Sequence, residues 1–361
     1  MRYTVKLSFT LGNKRYKNQF SLANRANNHF PVLLGRKFLK NRFLVDVSRH
    51  HLLSSELAPA KVLVLVKYGT TKTKSFFKNM EGQSQAQLTV SNYDELVFSS
   101  VGALNITIGI NGTDVADHKL VYFKSHIANS ELASAIATYL DFRNIIYRDS
   151  ELASAVSRGK LTEAVRLKAH GICMPPMVAM KYKMMQANYG YLIERLGLPF
   201  VFKDTLSNRG KSNYLISNEV DFKKVLQQSE SASFFMAQKY VPNTGYIRVI
   251  IMGSQQAPII IARSSTGHAN PLKSHLNNPA GGHNATLMNI DDADPAMIDL
   301  ARRAARVMER QVAGVDMIQD TQTGEWYVLE VNNNPQLMSG SFVKEKSNAF
   351  AKYLKNELDR W

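Results

Sequence analysis

The chain of 361 residues has a single cysteine, Cys173, so it can form no internal disulfide and suits a reducing compartment. No apolar run approaches the roughly 18 residues that mark a transmembrane helix. The N-terminus alternates polar and apolar residues and lacks the apolar core of a signal peptide. A cytoplasmic protein is expected. Acidic residues are absent from one region altogether: residues 1–45 hold ten Lys or Arg and no Asp or Glu, which accounts for most of the net charge of +16. Such an arm favours acidic partners such as RNA, the ribosome or an acidic peptide, with an affinity that falls steeply with salt. No RNA-binding motif accompanies it. No nucleophile signature surrounds Cys173, which reads as a small core residue. His275 and His283 lack the further spaced ligands of a zinc site.

What the chain does have is concentrated near its C-terminus. Gly314-Val315-Asp316-Met317-Ile318 and Tyr327-Val328-Leu329-Glu330-Val331-Asn332 read as two strands, with turn residues over 320–325. Side chains alternate across a strand, so Glu330 and Asn332 share a face. Folding about the turn brings Asp316 to within about one residue of Glu330. Three hard oxygen ligands then converge, a set suited to Mg²⁺ that leaves coordination positions for water and phosphate. The alternative is a surface hairpin with a few polar residues, but a carboxylate inside an apolar run costs free energy unless something pairs with it.

The stretch VAGVDMIQD…WYVLEVNNNPQL resembles the C-terminal core of the ATP-grasp superfamily, and within it the RimK-type group that joins glutamate or other amino acids to a carboxylate. The resemblance implies an α/β ATP-grasp fold with ATP and Mg²⁺ (Mn²⁺ as an alternative ion) held by Asp316, Glu330 and Asn332. It extends from about residue 157 to the C-terminus, opening on SRGKLTEAVRLKAHGICMPP, where a helix is expected to start at Lys160 and to end at Pro175-Pro176.

Three modules are expected. Residues 1–52 read as strands, with Tyr3, Val5, Leu7 and Phe9 alternating, a second strand near Tyr16–Leu22 and a third at Phe43–Val47. The run LLGRKFL is similar to the second half of a retropepsin-like domain. That family's catalytic Asp-Thr/Ser-Gly occurs nowhere in the chain, so the module reads as truncated or repurposed. After a linker over 53–60, residues 53–156 resemble the pre-ATP-grasp α/β domain. The apolar strand at Lys61–Tyr68 fits a sheet covered on both faces. Further strands are expected at Glu95–Ser99, Ala103–Ile110 and Leu120–Phe123, with a helix from Asn129 to Phe142. Residues 157–361 are the expected ATP-grasp domain.

Other residues acquire roles from the same resemblance. Lys160 and Lys203 match the phosphate-binding pair, where a compact ammonium suits phosphate oxygens. On sequence alone Lys160 reads equally as an exposed lysine, whereas Lys203, directly after the strand Pro199-Phe200-Val201-Phe202, is placed to reach into a cleft. The loop 204–212, with Gly210, occupies the place of the lid over the phosphates. Gln238, Lys239, Tyr240 and Val241 match the hinge that holds adenine, although Lys239 and Tyr246 stand where relatives often carry acids. Arg248 and Arg263 match positions that stabilise phosphate or an acyl phosphate, a job suited to a guanidinium fork. Cross-strand surface arginines are the competing reading. In LKSHLNNPAGGH, His275 and Asn277 replace an Asn and a His of the family pattern.

The expected activity is ATP-dependent ligation of a carboxylate to an amine through an acyl phosphate. The partners are an amino acid and a small-molecule, peptide or protein acceptor, and an oligomer is compatible with this reading. The alternative is a basic, non-catalytic module that keeps the fold and docks on RNA or a ribosome.

Overall fold

A computed structural model describes residues 3–11, 14–22, 34–40, 42, 59–110, 112–153, 159–204, 213–228, 234–264 and 285–360. The expected strand at Phe43–Val47, the linker up to residue 58, the lid residues 205–212 with Gly210, and the segment with His275, Asn277 and His283 lie outside these. The chain divides into two compact units, Met1–Pro59 with Asn356–Trp361, and Ala60–Lys355. No helix among the described residues is long and apolar enough to cross a membrane.

In the first unit, β1 (Thr4–Leu11) and β2 (Lys14–Ser21) form an antiparallel hairpin in unbroken register from Thr4↔Ser21 to Leu11↔Lys14. One face gathers Phe9 against Phe20 at 5.4 Å and against Phe38 of the short helix α1 (Arg36–Leu39) at 5.5 Å. Lys6, Arg15 and Lys17 are exposed on the opposite face, as strand alternation requires once the aromatics share a face, and Lys14 is exposed at the end of β2.

The second unit opens with β3 (Ala60–Val66), α2 (Thr71–Lys78), α3 (Glu81–Ser84) and β4 (Ala86–Asn92). A two-stranded pair follows, β5 (Leu96–Ser99) and β6 (Asn105–Ile108). Then come β7 (Leu120–Phe123), α4 (Ser130–Phe142) and β8 (Ile146–Arg148). The parallel sheet has the order β4-β3-β7-β8. Its central strand is solvent-free from Val62 to Leu65, which explains the unbroken apolar run, and each such side chain contributes about 1.5–3 kcal/mol.

Next is α5 (Lys160–Ala169), which ends well before the expected proline pair. Gly171 takes the left-handed φ of +70° and Ile172 N–H closes on the Leu167 carbonyl at 3.0 Å, so a glycine-type cap stops the helix at Ala169, before Pro175 is reached. A second sheet, in the order β11-β10-β12-β9, is antiparallel. It is built from β9 (Met177–Lys181), β10 (Phe200–Asp204), β11 (Asn213–Ile216) and β12 (Phe234–Lys239). Helices α6 (Tyr182–Ala187), α7 (Tyr189–Leu196) and α8 (Glu219–Gln227) belong to this layer. Its core stacks Phe202 on Phe235 at 5.0 Å.

The third sheet has the order β15-β14-β13-β16-β17. Its strands are β13 (Gly245–Met252), β14 (Ile259–Ser264), β15 (Ala285–Met288), β16 (Val312–Gln319) and β17 (Trp326–Asn332). Between β15 and β16 runs α9 (Pro295–Val307), capped by the Asp294 carboxylate on Ala296 N–H at 2.8 Å with Pro295 at the first turn. The other oxygen of Asp294 accepts from the Trp326 indole at 2.7 Å, tying α9 to the start of β17. One face of the sheet, with Val249, Val315, Met317, Val328 and Val331, packs on α9 and α5 in the largest core. The chain closes with α10 (Val343–Asp359).

Candidate active site

The other face of the third sheet carries the charge. Asp316 lies opposite both Arg248 on β13 and Glu330 on β17, so three neighbouring strands present a row Arg248–Asp316–Glu330. One step along, Gly314 pairs with Asn332. One step the other way, Tyr246 pairs with Arg263 on β14. The register shifts between Asp316 and Met317, where Leu329 is the extra residue of a bulge. That irregularity lets Val328 and Val331 both reach the core while Glu330 and Asn332 face the site.

Contacts within the row are tight. Arg248 grips Asp316 bidentately, Nε on Oδ1 at 2.6 Å and a terminal nitrogen on Oδ2 at 2.7 Å. The Asn332 amide donates to Asp316 at 3.2 Å and to Glu330 at 2.9 Å. Gly314 has a physical reason: a Cβ there would stand 3.2 Å from Pro335 Cβ and 3.7 Å from Arg248 Cδ. Burial pushes the Asp316 carboxyl up to about 7, opposed by Arg248 and aided by Glu330. Burial also raises Glu330, but the Asn332 amide, Asp316, Lys203 and Arg248 outweigh it and hold that carboxyl below its ordinary value.

Lysines from the second sheet and from α5 reach the same carboxylate. Lys203 is pushed down to about 8 by burial; Glu330 opposes the shift and Lys160 adds to it. Its ammonium donates to Gln238 Oε1 on the adjacent strand at 2.6 Å. Burial also lowers Lys160, against the pull of Glu330, and its ammonium donates to the Asp204 carbonyl at 3.3 Å. The two lysines named from sequence therefore converge with Glu330. Along the expected hinge, Gln238 and Val241 are buried, Tyr240 is half-buried and Lys239 is exposed, its backbone N–H bonded to the Pro176 carbonyl at 2.8 Å. Arg263 lies over the Tyr246 ring, 5.6 Å from its centre.

Three features escape a reading of the sequence. Lys346, on α10, is buried, and its ammonium donates to the Gln336 and Ser339 carbonyls at 2.8 and 2.7 Å. Burial, then Arg263 and Arg248, push it down to about 8. Glu163 on α5 accepts from Val331 N–H at 2.7 Å, while Arg310 donates to the Val331 carbonyl and to Glu163 at 2.7 Å. Arg310 also binds Glu151 at 3.0 Å, and Glu151 meets His126 at 3.0 Å. The peptide between Glu330 and Asn332 is thus clamped on both sides. Nothing local marks these residues; a Glu on an otherwise apolar helix face is the nearest signal. Cys173 is half-buried and packs against the edge of the core, its thiol bonds to Glu325 at 3.2 Å, and burial with that carboxylate pushes the thiol up to about 11.

The donor set fits Mg²⁺. Among the described residues no three His, Cys, Asp or Glu side chains form a metal-holding group, so a cation at Asp316 and Glu330 would need a further oxygen, for which the Asn332 amide is in place. Asp316 and Glu330 face each other in register with burial raising one of them, a strain that a divalent cation between them relieves. Rotation of the Asn332 amide presents its oxygen.

A family model described as a RimK-like ATP-grasp domain matches residues 157–354. A second, described as the retropepsin-like aspartic endopeptidase RimB, matches residues 1–56. No curated protein matches. Among solved structures, a Chryseobacterium gregarium RiPP-associated ATP-grasp ligase, in complex with ADP and a leader and core peptide, is 11% identical with a TM-score of 0.58, over 82% of this chain and 97% of that one. The ATP-grasp ligase PsnB with minimal precursor, Mg and ADP is 12% identical with a TM-score of 0.57, over 82% and 97%. D-alanine–D-alanine ligase from Bacillus anthracis is 15% identical with a TM-score of 0.53, over 83% and 95%. At these identities the likeness establishes the fold.

Proposed function

The chain belongs to the RimK-like ATP-grasp family of carbon–nitrogen ligases, and from that premise we propose that it joins a carboxylate to an amine through an acyl phosphate, adding an amino acid such as glutamate to an acceptor. The observation that carries the reading is the row Arg248–Asp316–Glu330, with Asn332 and Lys203 converging on its end.

Asp316, Glu330 and Asn332 would hold Mg²⁺ (or Mn²⁺), which would supply charge neutralisation at phosphate oxygens. Lys160 and Lys203 bind the ATP phosphates, and Gln238 aims the Lys203 ammonium. The hinge Gln238–Val241 receives adenine. Arg248 and Arg263 stabilise the γ-phosphoryl as its bond to ADP breaks and its bond to the substrate carboxylate forms. The amine then attacks the acyl carbon, loses its proton, and phosphate leaves. No protein nucleophile is required, in keeping with the raised thiol of Cys173. The RiPP-associated ligase in complex with leader and core peptide supports a peptide acceptor. The exposed basic face of the β1–β2 hairpin supports docking on an acidic partner such as a ribosome or RNA.

The test is Mg²⁺-dependent ADP release with pooled amino acids and acidic peptides, wild type against Glu330→Ala, with product mass read in the same tubes. Substrate-stimulated ADP release that the variant loses, with one amino-acid residue added to a product, supports the ligase. ATP binding without release under any substrate favours the basic binding module, and absence of ATP binding sinks the nucleotide assignment.

A further inference from the structure

The two faces of the β1–β2 hairpin differ in kind. Val5, Phe9, Tyr16 and Phe20 share one face, and Phe9 and Tyr16 each close on Phe38 of α1 at 5.5 Å. The other face is exposed from end to end, and its cross-strand pairs are Lys6 with Gln19, Ser8 with Lys17 and Thr10 with Arg15. Each pair sets one cation against one neutral hydrogen-bonding side chain, so no two cations stand directly opposite, where they would repel. Successive pairs lie about 7 Å apart along the strands, twice the rise per residue. Beyond them Thr4 pairs with Ser21, and Gln19 Nε2 donates to Thr4 Oγ1 at 2.8 Å.

No carboxylate within these elements balances the charge: β1, β2 and α1 contain no acidic residue, and α1 adds the exposed Arg36 and Lys37. Such a face attracts anions, and its neutral groups decide which anion fits. It carries no aliphatic or aromatic residue, so it lacks the dry centre on which a protein partner builds its hot spots. The aromatic rings lie on the opposite face, against α1, and leave no platform for stacking the bases of a single strand. What remains is cations spaced among hydroxyl and amide groups, the side chains that contact phosphate and sugar. Ser and Thr are short, so between the cations the face touches only a surface that it lies flat against. The minor groove of an A-form RNA duplex is such a surface, wide, shallow and lined with 2′-hydroxyls, whereas the base edges of B-form DNA lie in a major groove about 8.5 Å deep.

We propose that this face binds double-stranded RNA, with Lys6, Lys17 and Arg15 on phosphates and Ser8, Thr10 and Gln19 on the sugar hydroxyls between them. Recognition is then of shape and charge rather than of base sequence. The proposal stands apart from the ligase reading: ATP, metal and turnover enter neither it nor its test.

The test is fluorescence anisotropy of the full chain with a labelled RNA duplex of about 16 base pairs, which spans two successive minor grooves. The competitors are a DNA duplex and an RNA single strand of the same length, and poly-L-glutamate. The RNA duplex should bind tightest. The triple variant Lys6→Gln, Arg15→Gln, Lys17→Gln should weaken its binding about tenfold or more. It should also make the slope of log affinity against log salt shallower by about 2–3, as the loss of three phosphate contacts requires. The pair Lys6→Arg, Lys17→Arg keeps the charge and should stay within about threefold of wild type. So should a control that removes the same charge from exposed lysines of the other unit, Lys78→Gln, Lys183→Gln, Lys223→Gln. Wild-type affinity in the triple glutamine variant, an equal loss in the control or in the arginine pair, or no binding of the RNA duplex to wild type overturns the proposal. Poly-L-glutamate competing as well as the RNA duplex would make the partner an acidic protein, and the DNA duplex or the single strand competing as well would remove the A-form fit; either result also overturns it.

Discussion

His126, Glu151, Arg310 and Glu163 form one buried charge cluster beside the β16–β17 hairpin; Lys160, Lys203 and Arg248 gather at Asp316 and Glu330 in another, which Arg263 and Lys346 extend beside Arg248. In the first, Arg310 and His126 meet two carboxylates, and the donors end on protein acceptors. In the second, Lys203 and Lys346 donate to neutral oxygens, those of Gln238, Gln336 and Ser339, and three lysines are depressed by burial. The first cluster is a structural clamp. The second keeps buried ammonium groups on neutral acceptors, at a free-energy penalty that an anionic ligand removes. It is the kind of acceptor each cation meets, carboxylate or neutral oxygen, that separates support from site.

That contrast can be broken by substitution. The largest effect is expected from Arg310→Met, which strands Glu151 and Glu163 in the interior and should cost about 3–5 kcal/mol in denaturant unfolding. Comparable stability to wild type would show that the clamp is dispensable. Glu330→Ala should instead leave the unfolding midpoint near wild type while Mg²⁺-dependent ADP release falls by on the order of a hundredfold or more. Lys203→Met should weaken nucleotide binding about tenfold to a hundredfold, the worth of a charge-assisted hydrogen bond, without lowering the melting temperature.

A milder test uses pH. Lys203 has its folded value lowered to about 8, below the unfolded value near 10.4. Between these limits the unfolded chain binds more protons, so this group makes stability rise with pH there. Phosphate binding favours the ammonium and raises its value, so nucleotide binding between about pH 8 and 10 should take up a proton. Calorimetry in buffers of different ionisation enthalpy reads that uptake, and Lys203→Arg should abolish it. The smallest effect is expected on the exposed Glu219–Lys223 pair, where Glu219→Ala should leave the melting temperature unchanged within error.

The sequence made the hairpin legible because its signal is local. Strand alternation places Glu330 and Asn332 together, and a short turn places Asp316 opposite; the structure has Asp316↔Glu330 in direct register. The apolar run of β3 and the helix spacing of α4 were legible for the same reason, since each pattern reports burial of a single element. Lys346 and Arg310 were not, because what makes them notable is the absence or presence of partners more than a hundred residues away in some cases, such as Glu151 for Arg310. The pairing of Arg248 with Asp316 was half legible: both residues stood out, but only strand order brings them together. The end of α5 was misread because a glycine in left-handed conformation competes with proline as a stop signal and comes first.

The hydrogen bond from Trp326 to Asp294 gives the molecule an optical reporter. The chain has two tryptophans, Trp326 and Trp361. Trp326 opens the strand that ends at Glu330 and Asn332, with its indole anchored to the cap of α9. In a Trp361→Phe background its emission alone would follow the hairpin, so titration with Mg²⁺ and nucleotide could be read as fluorescence from the strand that carries Glu330 and Asn332.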